Sequence, residues 1–216
     1  MKKFFTLLTF AIVILFFSQC NQQKPAAASA DPVLTTPEAN AKAKTYFGGY
    51  DSKEKWGEHL VLLGGCNDCH TPTKMGPKGP ELAVDLLLSG AQEKTPSIIK
   101  DFDRKSTEAK GLMVARDNAF SGPWGVSFAA NLTPDDSTGT GTWTEDRLVK
   151  VLREGKYHGL AESRDILPPM PWEMYKNMTN DEISAVFAYL KSIKPVKNHV
   201  PAPIPPVAAM MAKPKK

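Results

Sequence analysis

A pentapeptide in the first half of the chain restricts the possible folds more than any other sequence feature. It reads Cys66-Asn67-Asp68-Cys69-His70, and the pattern C-x-x-C-H is the sequence signal for covalent attachment of a c-type haem. Cysteines with this spacing on one helical turn can each form a thioether with one vinyl group of the same porphyrin. The adjacent His70 comes from the same turn and can place an imidazole nitrogen on the iron. The motif therefore predicts a fold built around one covalently attached haem.

Two other uses of paired cysteines remain as alternatives. A thioredoxin-like dithiol would need a preceding strand in a βαβ setting, which the sequence does not suggest. A zinc site would need a fourth Cys or His ligand. The other histidines, His59, His158 and His199, do not stand in a paired ligand spacing. The sequence therefore favours haem over zinc or a redox dithiol.

The second axial ligand has to come from elsewhere in the chain, and cytochromes of this type commonly use methionine. Met170 lies in a run of prolines at positions 168, 169 and 171. Because proline fixes φ and lacks an N–H donor, this run predicts a stiff, extended loop that can present the sulfur to iron. Met170 is the predicted ligand, and Met174 and Met178 are the next candidates.

The N-terminus has the pattern of an export signal. Two lysines precede an almost wholly apolar run at residues 4–17, which is shorter than the roughly 20 residues that span a bilayer. Phe17-Ser18-Gln19-Cys20 resembles the lipobox of bacterial lipoproteins, and it predicts a signal peptide at 1–19 and lipidation of Cys20. Cleavage after the A-x-A sequence at 28–30 and an uncleaved leader are the alternatives.

The rest of the chain divides into three parts by composition. Residues 20–45 are rich in Ala and Pro and predict a flexible tether. Residues 46–194 contain the periodic segments and predict one folded domain, and residues 195–216 predict an extended or disordered Pro-, Ala- and Lys-rich tail. The formal net charge of +4 is too small to argue for a nucleic-acid partner.

Helical patterns dominate the predicted domain. The clearest is the last one, where Thr179 and Glu182 match a capping box ahead of a helical apolar stripe. The predicted helices cover about residues 53–63 and 81–88, a third that begins near Thr144 and ends before Gly155, and a last one that begins at the Thr179 capping box and ends at Pro195. Residues 91–125 show no sustained period and predict loop with short helical pieces, and no strand pattern of convincing length appears. The expected fold class is all-α: a small helical domain wrapped around one haem.

Considered together, three motifs resemble the bacterial class I cytochrome c family. They are Cys-Asn-Asp-Cys-His-Thr-Pro at 66–72, Asn-Leu-Thr-Pro-Asp at 131–135 and Pro-Pro-Met-Pro-Trp at 168–172. The resemblance covers about residues 46–205. It implies that Cys66 and Cys69 are the thioether anchors, His70 the proximal ligand and Met170 the distal ligand. Similar modules occur in the haem subunits of membrane-associated alcohol and aldehyde dehydrogenases.

The same resemblance implies roles around the cofactor. The carbonyl of Pro80 would accept a hydrogen bond from His70 and fix the imidazole. Asn131 and Trp143 would lie near a haem propionate. The segment at 74–124 is longer than in a minimal cytochrome of this kind, and it would cover the haem edge or form a partner surface.

The expected function is single-electron transfer between redox proteins on the periplasmic side of the cell envelope, without catalytic residues of the chain's own. The cofactor is one haem c, the membrane contact is the lipid at Cys20, and neither a nucleic acid nor a small-molecule substrate is expected. The alternative is an electron-accepting haem subunit of a membrane-associated dehydrogenase complex. A peroxidase would need an open axial position, and a haem-binding signalling module would show no turnover with a redox partner.

Overall fold

The computed structural model describes residues 46–95, 99 and 103–212. The predicted signal peptide at 1–19, the lipidation site Cys20 and the tether at 20–45 lie outside the described residues. In the described part, no helix has the length and apolarity that crossing a membrane requires. The helices are α1 (Lys53–Leu63), α2 (Cys66–His70), α3 (Arg104–Ala109), α4 (Glu145–Glu154), α5 (Trp172–Tyr175), α6 (Asn180–Ser192) and α7 (Val207–Met211). Two 3₁₀ turns cover Val84–Leu86 and Tyr157–Gly159.

The predicted helices with strong end signals are confirmed. The Ser52 side chain accepts a hydrogen bond from the backbone N–H of Lys55 and caps α1. Thr144 caps α4, which ends at Gly155 in the left-handed conformation that suits glycine. Thr179 and Glu182 form the expected capping box at the start of α6.

Helices α1 and α6 pack closely against each other and form the centre of the domain. Gly57 of α1 is buried, and a Cβ atom there would fall on the backbone carbonyl of Ala185 in α6. Glycine is therefore needed where the two backbones cross. The main core cluster gathers apolar side chains from these helices, from α4 and from the 3₁₀ region: Val61, Leu88, Leu148, Leu152, Ile183, Val186 and Leu190.

The prediction of an all-α fold is wrong, because the domain also contains two small antiparallel sheets. Strands β1 (Thr73–Gly76) and β2 (Gly79–Leu82) form a hairpin. Strands β3 (Val114–Arg116), β4 (Ala119–Gly122) and β5 (Gly125–Phe128) form a three-stranded sheet in that order. The fold class is mixed, with helices around the core and the sheets in the region between α2 and α4.

The strands were not predicted because each has only three or four residues, too few to show a clear alternation. The sequence signal for these strands lies in a turn between them. Asp117 and Asn118 both have positive φ in the two-residue turn between β3 and β4, a position where Asn and Asp are favoured. The helix expected at 81–88 is also wrong: β2 and the first 3₁₀ turn occupy that stretch.

Residues 196–206 are mostly extended and packed against the domain, and helix α7 follows them. The Asn198 side chain is buried and donates hydrogen bonds to the carbonyls of Ser89 and Ala91 at 2.8 and 2.9 Å. Ile204 pairs with Val126 of β5 through two backbone hydrogen bonds of 2.8 and 2.9 Å. This strap, residues 196–206, therefore completes the edge of the three-stranded sheet.

Candidate cofactor site

One cleft brings together the cysteine motif and the proline-rich loop, which lie about a hundred positions apart in the sequence. Cys66, Cys69 and His70 on α2 line it together with Met170. The cleft has about 1070 Å³ of empty space, part of which is open solvent. Most of its wall is apolar, with contributions from α4, from the three-stranded sheet and from the loop: Leu148, Val151, Leu152, Phe120, Phe128, Ile166, Leu167 and Pro169.

The short helix α2 is fixed by hydrogen bonds at its C-terminal end and by the turn that precedes it. Gly65 stands before it in the left-handed conformation, with φ of 65°. At its other end the hydroxyl of Thr71 donates to the Asn67 side chain at 3.0 Å and accepts from the backbone N–H of Leu88 at 2.9 Å. Both side chains are buried, so the turn that carries the three motif residues has a defined orientation toward the cleft.

His70 is held through its backbone-facing nitrogen. Its Nδ1 lies 2.7 Å from the carbonyl oxygen of Ala130, and only 8% of the residue is exposed. Burial lowers the pKa of His70, while the Ala130 hydrogen bond acts in the opposite direction. The ring is therefore held neutral with Nδ1–H as donor, which leaves Nε2 as the nitrogen able to bind a metal.

The partner of His70 corrects the expectation that Pro80 supplies this carbonyl. Pro80 lies on the exposed strand β2, opposite Met75 in the hairpin. The hairpin takes the segment after α2 away from the histidine. The carbonyl that accepts from the His70 ring comes after the three-stranded sheet, at Ala130.

Both motif cysteines are free thiols and partly buried. Burial raises the pKa of Cys66 to about 11, and burial followed by the charge of Asp68 raises the pKa of Cys69. A reactive redox dithiol needs the opposite shift. In the described residues, no group of three or more His, Cys, Asp or Glu side chains is arranged to hold a metal ion. Neither alternative use of the motif gains support from the structure.

The three candidate methionines occupy different environments. Met170 lines the cleft and packs against the main core cluster. Met174 is 70% exposed on α5, and Met178 packs against the core without lining the cleft. The structure thus places Met170 alone among the three at the cleft.

The loop that carries Met170 is tied to its neighbours on both sides. Before it, the backbone N–H of Ile166 donates to the carbonyl of Gly155 at 2.7 Å. After it, the Tyr175 hydroxyl donates to the carbonyl of Gly64 at 2.5 Å. Burial raises the pKa of Tyr175 to about 12, so the phenol remains a donor at neutral pH. This bond joins α5 to the junction of α1 and α2 beside Cys66.

A polar and aromatic group lines another part of the cleft: Trp143, Tyr157, His158 and Arg164. The His158 ring stacks on Tyr157 with centroids 4.0 Å apart and meets the Trp143 ring edge-on at 5.5 Å. The Arg164 guanidinium lies 3.9 Å from the centre of the Tyr157 ring. We call these four residues the polar cluster.

The cations around the polar cluster act on its histidine. Burial lowers the pKa of His158, and the charges of Arg147 and Arg164 lower it further. Arg147 lies over the Trp143 ring and donates from Nε to the His158 carbonyl at 2.8 Å. Sequence reasoning identified Trp143 but missed Tyr157, His158 and Arg164, since isolated polar residues in an irregular segment carry no periodic signal.

Asn131, the other residue expected near the cofactor, is used inside the protein. Its Nδ2 donates to the Val196 carbonyl at 2.8 Å, and its Oδ1 accepts from the backbone N–H and hydroxyl of Thr133 at 3.0 and 2.7 Å. It is buried and does not line the cleft. The structure therefore places Asn131 in the network that holds the strap to the domain.

Sequence comparisons relate the chain to subunits of dehydrogenases, although no protein-family model matches it. It is 32% identical to a nicotinate dehydrogenase subunit of Pseudomonas putida over 44% of the chain and 8% of that protein. It is 31% identical to the fructose dehydrogenase cytochrome subunit of Gluconobacter japonicus over 63% of the chain and 27% of that protein. It is 34% identical to the gluconate 2-dehydrogenase cytochrome c subunit of Pantoea cypripedii over 68% of the chain and 24% of that protein.

The chain spans at most about a quarter of the length of these relatives, so the matches describe one module of longer proteins. Two of the three relatives are named as cytochrome subunits. The comparisons therefore support a c-type cytochrome family for this chain.

Proposed function

We propose that this protein is a monohaem c-type cytochrome that transfers single electrons between redox proteins in the cell envelope. The observation that carries the proposal is the meeting of the C-x-x-C-H turn and the Met170 loop in one apolar cleft. In this assignment Cys66 and Cys69 form the thioethers, and His70 and Met170 are the axial ligands. Haem c supplies one-electron chemistry there, because its iron is stable in two oxidation states.

The residues present fit that cofactor. His70 is buried, neutral and already engaged through Nδ1, which is the arrangement that orients a ligating imidazole. The two thiols lie in the same cleft wall as His70. The thioether of Met170 is a soft ligand that favours a high reduction potential. The mostly apolar wall would limit the contact of water with the bound cofactor.

The polar cluster would receive the haem carboxylates. Two other hydroxyls of the cleft are engaged with backbone carbonyls, Tyr175 with Gly64 and Ser127 with Pro168. Among the residues that line the cleft, Arg164 is the one that carries a guanidinium group, and guanidinium groups pair well with carboxylates. Arg164 with the neighbouring polar atoms is therefore the part of the cleft suited to an anion.

The ligand pair argues for a carrier and not for an enzyme acting alone. With His70 and Met170 both bound, no axial position would remain for a substrate. The names of the relatives support the narrower alternative that the chain serves as the electron-accepting haem subunit of a dehydrogenase complex. The predicted export signal and the lipobox-like sequence at Cys20 support a lipid-anchored protein that faces the periplasm, with redox proteins as partners.

Intact mass under denaturing conditions tests the cofactor assignment. The full chain would be made in a host that matures c-type cytochromes, and a haem increment that survives denaturation is expected. The Cys66→Ser/Cys69→Ser double variant should lose the increment. Cys20→Ser is the matched control, because it also removes a cysteine but should keep the haem and lose any lipid mass. A bare polypeptide from a host shown to mature another cytochrome would contradict the proposal.

Co-fractionation separates the carrier from the dehydrogenase subunit. Detergent-solubilised membranes of the native organism would be separated by size while haem absorbance and dye-linked dehydrogenase activity are followed. Haem of this chain eluting with dehydrogenase activity, in a complex much larger than the 23.6 kDa polypeptide, supports the subunit. Elution as a small protein that exchanges electrons with several partners supports the carrier.

A further inference from the structure

The three-stranded sheet presents different side chains on its two faces, and one of them reaches the proline-rich loop. In the antiparallel register, Phe120 pairs with Ser127, and Ser121 pairs with Val126. Paired residues point to the same face of a sheet. Phe120 and Ser127 line the cleft, whereas Val126 belongs to the second core cluster on the other side.

Ser127 has both of its hydrogen-bonding roles filled. Its hydroxyl accepts from Nε1 of Trp124 at 3.1 Å and donates to the carbonyl of Pro168. The residue is 7% exposed. The Trp124 bond directs the hydroxyl proton, because an oxygen that accepts from the indole is free to donate to Pro168.

The Pro168 carbonyl has few donors available to it within the loop. Pro169 and Pro171 have no N–H to offer it, and the local backbone bond of the loop joins the Trp172 N–H to the Met170 carbonyl at 3.0 Å. Among the described residues, the Ser127 hydroxyl is the side-chain donor to the segment from Leu167 to Met170. The strap also stiffens this donor, since Ile204 pairs with Val126, the residue before Ser127.

We infer that Ser127 is a positioning residue for Met170, in that its hydrogen bond to Pro168 sets where the loop holds the methionine sulfur. This inference rests on the proposed function, in which Met170 is the distal ligand. It also gives a role to the long segment between α2 and α4, because the three-stranded sheet in that segment donates a hydrogen bond to the loop that carries Met170.

The test compares three serine variants of the matured holoprotein. Ser127→Ala removes the donor and should leave the haem attached. It should weaken the methionine-to-iron charge-transfer band of the ferric form and raise the apparent affinity for imidazole by up to about tenfold, the net effect of losing one hydrogen bond. Ser127→Thr keeps the hydroxyl and should restore the band and the imidazole affinity toward those of the parent.

Ser121→Ala is the matched control. Ser121 is fully buried in the neighbouring strand, points away from the cleft, and its hydroxyl has no hydrogen-bond partner among the described residues. Its removal should leave the band and the imidazole affinity unchanged. Equal effects of Ser121→Ala and Ser127→Ala would overturn the inference in favour of general loosening of the sheet. An unchanged imidazole affinity in Ser127→Ala would overturn it directly.

A failure of the proposed ligand set would look different. In that case Met170→Ala would bind imidazole as the parent does, and the inference would fall together with the ligand assignment. If Met170→Ala binds imidazole more tightly than the parent and Ser127→Ala binds it with the affinity of the parent, only the role of Ser127 would be refuted. Circular dichroism of each variant shows whether it has folded, and Ser127→Thr supplies a second readout if Ser127→Ala has not.

Discussion

The Nδ1 of His70 and the carbonyl oxygen of Ala130 are 2.7 Å apart, although the two residues are separated by sixty positions in the chain. The contact joins α2 to the segment just after β5. The chain that leaves the three-stranded sheet therefore supplies the carbonyl that holds the His70 ring. Because the acceptor is a backbone atom, no side-chain substitution at position 130 removes it. The neutral imidazole is thus oriented by the path of the chain.

Met170→Ala should keep the haem covalently bound and free the sixth coordination position. The thioethers depend on Cys66 and Cys69, whereas the substitution removes only the sulfur at the cleft. Ferric spectra with added imidazole or cyanide measure the change, and we expect an affinity at least about tenfold above that of the parent. Met174→Ala is the control, since Met174 is 70% exposed. A parent-like response of Met170→Ala would refute the ligand assignment.

The elements that sequence reasoning predicted are those with a repeating pattern and marked ends. The α6 segment combines a capping box with a helical apolar stripe, and both are local features of neighbouring residues. The C-x-x-C-H motif is local in the same sense, because its spacing alone indicates the chemistry. Met170 could be singled out since the prolines around it restrict the backbone without help from the rest of the fold.

The features that sequence reasoning missed depend on the three-dimensional path of the chain between the predicted helices and motifs. The acceptor for His70 is a backbone carbonyl, which any residue could supply, so Ala130 has no sequence signature. Arg164 and His158 reach the cleft through a turn in which His158 adopts a positive φ of 57°. The strands are held by partners across short turns, and three or four residues are too few to reveal them.

Gly57→Ala should destabilise the domain through the helix crossing. The new Cβ would meet the Ala185 carbonyl and lie 2.8 Å from the Cβ of Tyr189, so α1 and α6 must move apart. Overpacking of this kind costs about 1–3 kcal/mol, occasionally more. Denaturant unfolding followed by circular dichroism measures the loss. Lys55→Ala, on the exposed side of α1, is the control and should change the free energy of unfolding by less than about 0.5 kcal/mol. Similar losses of stability in both variants would contradict the explanation by the close contact of α1 and α6.

Arg164→Gln should lower the reduction potential of the holoprotein. A positive charge beside the cofactor disfavours the ferric state, which carries one more positive charge than the ferrous state, so its removal favours oxidation. We expect a decrease of up to about 59 mV, a tenfold change in the ratio of oxidised to reduced haem. Arg116→Gln removes the same charge from β3, where the Arg116 side chain is 52% exposed and does not line the cleft. Equal decreases in both variants would mean that only net charge matters.

Protonation of His158 should make the reduction potential depend on pH. Burial, then Arg147 and Arg164, hold the pKa of His158 below its usual 6.5, so the ring is neutral at pH 7. As the pH falls below about 6.5 the ring gains a positive charge, which disfavours the ferric state and raises the potential. The midpoint of this rise reflects two opposing effects on the pKa of His158: burial and the two arginines lower it, and the haem carboxylates would raise it. Spectroelectrochemical titration between about pH 4.5 and 8 should show a smaller rise for His158→Gln. His59→Gln is the control, because the His59 ring lies outside the cleft, tilted against Tyr50 with ring centroids 4.9 Å apart; the potential of this variant should depend on pH as that of the parent does. A rise that persists in His158→Gln would assign the proton to another group.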